Sequence, residues 1–530
     1  EEKFIKNQQS GFSDHVYSAD IEKAWEITEK AVSVLYENFL KNGKSEPEFI
    51  EKFNEFRQIN KDCFPNWLRH DTIFEILSLQ YGTSDWTKWN GPDDSFLDRD
   101  LFCCNNFGNN NAHRRISSLL ENNREEAEKY ALVQFFLASQ HKETRTEIKN
   151  RGLRIYGDMQ VGYSTMDIWS LRDLFLKGYY LGAPPSRTNP GGQPWGYPLL
   201  DPALYYCKGN IGLSLALISA RVKKMFSEFD GLRIDHPHGL VCPWVYKKSD
   251  RDQYHSVQNG ARLFSSPCSP GHPCLAKYSI VSPRQISSDP DCKPYDDNRV
   301  TSLTDKQVGR YAVIIDLILE TAKNAGVTKD DILCEVLSTL PYPLGQVMKQ
   351  RGLGRFCVTQ KADPFNPGDV YRRENAAPQD WIMAGNHDTK PLLLVADERM
   401  GTEWYSARCG VLAQELKNGA ERGAYYSLLV KNRLEFRDAM VAELFLGPAK
   451  NVMMFFPDLL GMREIYNRPG VTDKKNWTLR VPRNFRDFYE NQVKSGEAPK
   501  LEKCLVMALR AKFRDNRECE ELCRNLENKR

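Results

Sequence analysis

The chain has 530 residues, 41% of them hydrophobic and 27% charged, with a formal net charge of +3. That balance is ordinary for a globular protein, and so small a charge argues against a nucleic-acid or membrane-surface partner. No apolar run is long enough to cross a bilayer and no secretory leader stands at the start, so a cytoplasmic or organellar protein is expected. Fourteen cysteines at irregular spacing read as reduced thiols, not as a disulfide framework. Cys268, His272, Cys274 and Cys292 share one loop, but their spacing matches no tight zinc pattern, and neither a metal nor a cofactor is expected.

Residues 1–150 read as helical, a region inserted in or preceding the main fold. Between 20 and 40, Ile21, Trp25, Val32, Leu35 and Phe39 recur at helical spacing and Gly43 follows as a stop. Over 47–82, Phe49, Phe53, Phe56, Trp67, Ile73, Ile76 and Leu77 read as core packing. The Asn/Gly-rich run 102–111 is a loop, and one long helix is expected over about 115–150. The pattern then changes. Short apolar pulses near 153, 231, 331, 355, 381 and 451 alternate with helical stretches, including 203–226, 304–326 and 409–446. Strand and helix in alternation imply an α/β fold with a parallel sheet. Thr304 with Gln307 forms a capping box opening one of those helices. Residues 184–201 are a long, turn-rich loop containing Trp195, and loops of that length are usually functional. The Ser/Pro/Asp-rich segment 249–303 has no sustained period and reads as a loop insertion or lid. Residues 486–530 form a charged, peripheral helical tail.

Chemistry concentrates where the pulses end. In the stretch 227–239, Leu232 and Ile234 stop at Asp235, flanked by Arg233, His236 and His238. Arg233 lies two residues before Asp235, so on a strand both side chains share a face, and the cation favours the ionised carboxylate a nucleophile requires. Asp158, Glu335 and Asp388 likewise close pulses. Carboxylates at the C-terminal mouth of one parallel sheet suit glycoside chemistry, one attacking the anomeric carbon and another protonating the leaving oxygen. Trp195, Tyr163 and Tyr197 in the loops are candidates to stack on sugar faces, with core packing the plainer reading of each alone.

Gly231-Leu-Arg-Ile-Asp-His236 resembles the nucleophile segment of the 4-α-glucanotransferases (amylomaltase or disproportionating enzyme), glycoside hydrolase family 77. Further likenesses follow in order along the chain: Gln134–Gln140, Gly157-Asp-Met159, Asp167-Ile-Trp169, Gly192–Leu199, Cys334-Glu335 and Gly385-Asn-His-Asp388. Asp458–Gly461, Asn467–Gly470 and Asn476-Trp477 through Arg480 are similar to the family's closing motifs. The resemblance covers roughly 130–481. It implies a (β/α)8 TIM-type barrel over 151–485, with two opening strands absent from this chain. Without a cofactor, such a protein transfers α-1,4-glucan segments among maltose, malto-oligosaccharides and longer glucans.

The same resemblance assigns roles. Asp235 is the nucleophile, Glu335 the general acid and then base, and Asp388 the stabiliser of the distorted sugar. Arg233 orients Asp235, His236 and His387 hydrogen-bond the sugar, Asp158 supports the site and Trp195 stacks on the glucan. A retaining site of this kind places its two principal carboxyls about 5–5.5 Å apart. The chain departs from the family at several points: Val336-Leu-Ser338 stands for Asp-Leu-Gly, Thr389 for Asn, His238 for Arg and Gln160 for Pro. Two alternatives stay open at this stage, an α-glucan hydrolase of the same class and a glucan-binding homologue with impaired catalysis.

Overall fold

A computed structural model describes residues 18–91, 97–103, 110–186, 189–248, 252–471, 473–514 and 516–528. The chain forms two compact units, one from Ile27–Leu353 and the other from Glu1–Glu26 together with Gly354–Arg530.

In the first unit, the described residues before Tyr156 are helical and include no strand. Helices Pro47–Asp62, Trp67–Tyr81, Asn110–Asn122 and Arg124–Asn150 enclose two aromatic cores. One is built on Phe39, Phe53, Leu68 and Leu132, the other on Ile73, Ile76, Leu77, Trp89 and Trp169. Phe49, Phe53, Phe56 and Trp67 therefore pack into the first of these cores. The single helix expected over 115–150 is two, because Asn123 leaves helical geometry between them. Of the loop expected at 102–111, residues 104–109 lie outside the described residues.

Three of the apolar pulses form a parallel sheet: Tyr156–Met159, Gly231–Ile234 and Ile332–Cys334, with Gly231–Ile234 in the middle. In register, Asp158 faces Arg233, which faces Leu333. Helices Leu213–Glu228 and Val313–Asn324 bury Leu217, Val222, Phe226, Ile315 and Ile318 in one core with Leu232, Ile234 and Ile332. The capping box at Thr304 forms as expected, with Gln307 N–H donating to its Oγ1 and Thr304 N–H donating to the Gln307 side chain.

The middle strand can begin only with glycine. A Cβ on Gly231 would stand 2.3 Å from the Tyr156 ring and 2.6 Å from the backbone oxygen of Asp331. The ring could swing away, but the backbone at Asp331, which leads directly into the neighbouring strand Ile332–Cys334, cannot. Gly231→Ala is therefore expected to cost about 1–3 kcal/mol, the range for overpacking. A denaturant melt checks this, and an unchanged midpoint would refute it.

A second, antiparallel sheet was not legible in the sequence. It orders Gln193–Tyr197, Tyr179–Ala183, Trp244–Lys247 and Ala261–Arg262. Trp195 thus stands on a strand rather than in a free loop, because Tyr179–Ala183 supplies the ladder through the Leu181–Tyr197 and Ala183–Gln193 pairs. The segment 249–303, of which 249–251 lie outside the described residues, is no loose excursion. Leu263, Leu275, Ile280, Val281 and Val300 are buried in the main core.

The other unit holds the remaining pulses as a second parallel sheet, Phe356–Val358, Trp381–Met383 and Asn451–Met453, with Trp381–Met383 central. All six expected strands exist. Among the described residues they pair as two three-stranded sheets, and these ladders do not draw one closed barrel. Helices Glu403–Leu416, Glu421–Lys431 and Arg433–Glu443 pack Tyr405, Cys409, Leu412, Phe436 and Met440 against Ile382. Arg408 and Glu443 form an ion pair inside this core, with side chains only 2% and 1% exposed. The tail is not peripheral. Its helix Leu501–Lys512 buries Cys504 and Ala508 in the same core, and Lys503 Nζ reaches Glu435 at 2.6 Å and Asp438 at 2.9 Å.

Candidate active site

The three strands of the first sheet run the same way, so their C-terminal ends share one edge. The ladder continues one residue past the strands on each side of Ile234. Asp235 N–H donates to Met159 O at 3.0 Å, and Glu335 N–H donates to Ile234 O at 3.0 Å. These two bonds fix the backbones of both acids on neighbouring chains of the same edge.

Arg233 joins their side chains. Its Nη1 donates to both oxygens of Asp158, at 2.6 and 2.8 Å. Its Nη2 lies 2.9 Å from Asp235 Oδ1 and 2.7 Å from Glu335 Oε2. Two oxygens sharing one nitrogen at those distances can be no farther apart than the sum of the two. That ceiling applies to the nearest pair of oxygens, and it is in keeping with the close carboxyls of retaining enzymes, ~5–5.5 Å apart. Exposure grades across the group: Arg233 and Glu335 are largely buried, Asp235 is a third exposed, and Asp158 is half exposed. Burial alone would push the guanidinium down, but the charges of Glu335, Asp235 and Asp158 outweigh it and hold Arg233 more firmly protonated than usual.

His236 follows Asp235 directly in a left-handed backbone, φ +43°. A histidine held there is strained, and such strain collects at functional sites. The turn aims the ring at Trp195, edge-to-face at 4.7 Å, and stacks its other side on His238 at 4.4 Å. Burial first, then the adjacent His238 and Arg262, push His236 well below the ordinary histidine range, so the ring is neutral at physiological pH. His238 is buried, with Nε2 donating to Thr339 O at 2.9 Å, four residues past Glu335. Trp195 is held by its own indole N–H, which donates to Gln193 Oε1 at 2.9 Å.

Asp158, Trp195, Arg233, Asp235, His236 and Glu335 therefore gather within one unit. His387 and Asp388 belong to the other, just past the strand Trp381–Met383. There, Asn467 Nδ2 donates to Asp388 Oδ1 at 2.6 Å, Asp388 N–H donates to Asn386 Oδ1 at 3.0 Å, and His387 Nε2 lies 3.5 Å from Asp388 Oδ2. Thr389, where the resemblance leads one to expect asparagine, closes the turn: its Oγ1 accepts from Asn386 N–H and Gln360 Nε2, both at 2.8 Å. Asn467 and His238 escaped sequence reasoning as site residues. Each lay in a quoted motif, but neither reveals its partner by spacing.

Among the described residues, no group of three or more His, Cys, Asp or Glu is placed to hold a metal ion. His272 Nε2 donates to Asn259 O at 2.7 Å, and Cys274 Sγ lies against Tyr179 Oη at 3.1 Å. No described helix is long and apolar enough to cross a membrane.

Comparison with known proteins bears on this arrangement. A family model described as 4-alpha-glucanotransferase matches residues 2–485. The chloroplastic/amyloplastic 4-alpha-glucanotransferase of Solanum tuberosum is 26% identical over 215 residues, 39% of this chain and 34% of that protein. The 4-alpha-glucanotransferase of Haemophilus influenzae is 30% identical over 135 residues, 25% of this chain and 19% of that protein. The matched stretches thus span about a third of one of these relatives and about a fifth of the other. In fold, the chain is similar to the amylomaltase from Streptococcus agalactiae in complex with acarbose, with a TM-score of 0.64 and 15% identity, covering 94% of this chain and 85% of that one. The amylomaltase from Corynebacterium glutamicum gives 0.59 and 16%, covering 90% and 59%.

Proposed function

Because the chain belongs to the 4-alpha-glucanotransferase family, glycoside hydrolase family 77, we propose that it transfers α-1,4-glucan segments between malto-oligosaccharides by a retaining double displacement. The observation that carries this is the single Arg233 Nη2 shared by Asp235 and Glu335. It keeps a nucleophile and an acid/base within reach of one anomeric carbon, as a retaining site requires.

In the first step Asp235 attacks that carbon, the glycosidic C–O bond breaks, and Glu335 gives its proton to the departing oxygen. The enzyme now carries a covalent glycosyl ester on Asp235. In the second step an acceptor's 4-hydroxyl gives its proton to Glu335 and displaces Asp235. Two inversions leave the configuration unchanged. Arg233 orients Asp235, with Asp158 holding the guanidinium's other nitrogen. The neutral His236 offers the sugar a hydrogen bond without competing for the carboxylates, and Trp195 stacks on the glucan. His387 and Asp388 act on the sugar's hydroxyls, as the family likeness implies. The framework proposed for these residues is the family's (β/α)8 barrel, with active residues at the C-terminal ends of its strands.

Incubation with maltotriose tests the reading. A ladder of longer oligosaccharides is expected, and glucose with maltose alone would instead mean hydrolysis. Since the Streptococcus agalactiae amylomaltase is complexed with acarbose, acarbose is expected to inhibit ladder formation competitively. Insensitivity at concentrations far above the substrate's KM would count against the assigned site.

A further inference from the structure

Trp477 is built unlike a packing residue. Its side chain is 48% exposed, and its backbone is left-handed at φ +67°, a conformation unfavourable for a bulky residue. The loop around it is nevertheless closely tied. Trp477 N–H donates to Tyr466 O at 2.9 Å, and Ala19 N–H donates to Thr478 O at 2.7 Å. Asn476 accepts from Arg468 N–H at 3.1 Å and donates to Val471 O at 2.9 Å. Arg480 Nη1 donates to Trp477 O at 2.7 Å. The indole is thus held out of the core by a fixed loop, in a strained residue that gains little burial from being there.

Its neighbours indicate why. The Trp477 ring lies 5.5 Å from the His387 ring, inclined at 40°, and meets Tyr466 edge-on at 5.4 Å. His387 adjoins Asp388, whose Oδ1 accepts from Asn467. An apolar face is therefore rimmed by a carboxylate, an imidazole and an amide. A pyranose presents the complementary pattern, an apolar C–H face edged by hydroxyls. The loop exposes Val471 but also Arg468, Lys474 and Lys475, so charged groups interrupt the apolar surface that a protein partner would call for. We propose that Trp477 is a stacking platform for a glucose unit of a bound α-glucan, next to the His387–Asp388 pair. The inference rests on the glucan reading above. A fixed loop loses little conformational entropy when the sugar lands, so the backbone strain serves affinity.

Calorimetric titration with maltoheptaose tests the proposal, using Asp235→Asn to stop turnover. Adding Trp477→Gly is expected to weaken binding about tenfold, the loss of one aromatic face's contact area. Adding Trp477→Phe, which keeps a ring, is expected to restore most of it. Glycine accepts φ +67° without strain, so the melting temperature of the glycine variant should not fall, whereas a packing role would lower it and spare affinity. Unchanged affinity on losing the ring overturns the platform, as does an Asp235→Asn protein that binds no maltoheptaose. Should glycine unfold the loop, Trp477→Asn, a residue type that tolerates a left-handed backbone, carries the same comparison. The maltotriose ladder separates the two claims. A ladder with unchanged affinity removes the platform and leaves the function standing; no ladder with weakened affinity does the reverse.

Discussion

Asp235→Asn is expected to lower kcat for maltotriose disproportionation by about 10⁴-fold or more, the scale seen when a covalent nucleophile is removed. The amide is close to isosteric and keeps an oxygen toward Arg233, which still holds Asp158 at 2.6 Å and Glu335 at 2.7 Å. Stability should therefore change little, so the loss is chemical and not a failure to fold. A thermal melt beside the rate assay makes that distinction. Residual activity within tenfold of the parent would remove Asp235 from the nucleophile's role.

Arg233→Ala is expected to damage both catalysis and stability. One guanidinium serves three carboxylates at one sheet edge, and its loss leaves them repelling one another. Not all three contacts weigh equally. Asp158 is half exposed, and solvent screens its share to about 1 kcal/mol or less. Glu335, only 10% exposed, loses a cation in a site where water compensates poorly, and breaking a buried pair from one side costs ~3–5 kcal/mol. Together they suggest a loss of about 3 kcal/mol or more. For a chain of this size it appears as a fall of several degrees in melting temperature. With Asp235 no longer aimed, kcat should drop by about 10²–10³-fold, comparable to losing one electrostatic stabiliser. Arg233→Lys should regain part of the stability but little of the rate, because a compact ammonium cannot bridge all three acids as a planar fork does. An alanine variant that melts and turns over like the parent would contradict the account.

Much of this site was legible because its parts are local. Arg233 and Asp235 share a face by the two-residue period of a strand, and each apolar pulse became a strand because few alternatives suit a short buried run between helices. The unreadable parts depend on contacts between distant residues. Nothing in the spacing shows that Arg233 also reaches Asp158 and Glu335, since that follows from the order in which three strands pair. Asn467 meets Asp388 across 79 residues, and the strand Trp244–Lys247 pairs backwards onto Tyr179–Ala183 inside a stretch expected to lead into a lid. The left-handed turn at His236 is likewise invisible: histidine is enriched in that conformation among residues with a side chain, yet adopts it too rarely to mark one position. The fold corrects the tail for the same reason: Cys504 and Ala508 are modest signals in a charged helix, and only their partners make them core.

The stereochemistry of transfer tests the central claim most directly. Asp235 and Glu335, held on one nitrogen of Arg233, should work by two displacements. With an α-maltosyl fluoride donor and a maltose acceptor, proton NMR of the newly formed glycosidic linkage should show the α configuration alone. A β linkage would mean a single displacement and would contradict the mechanism.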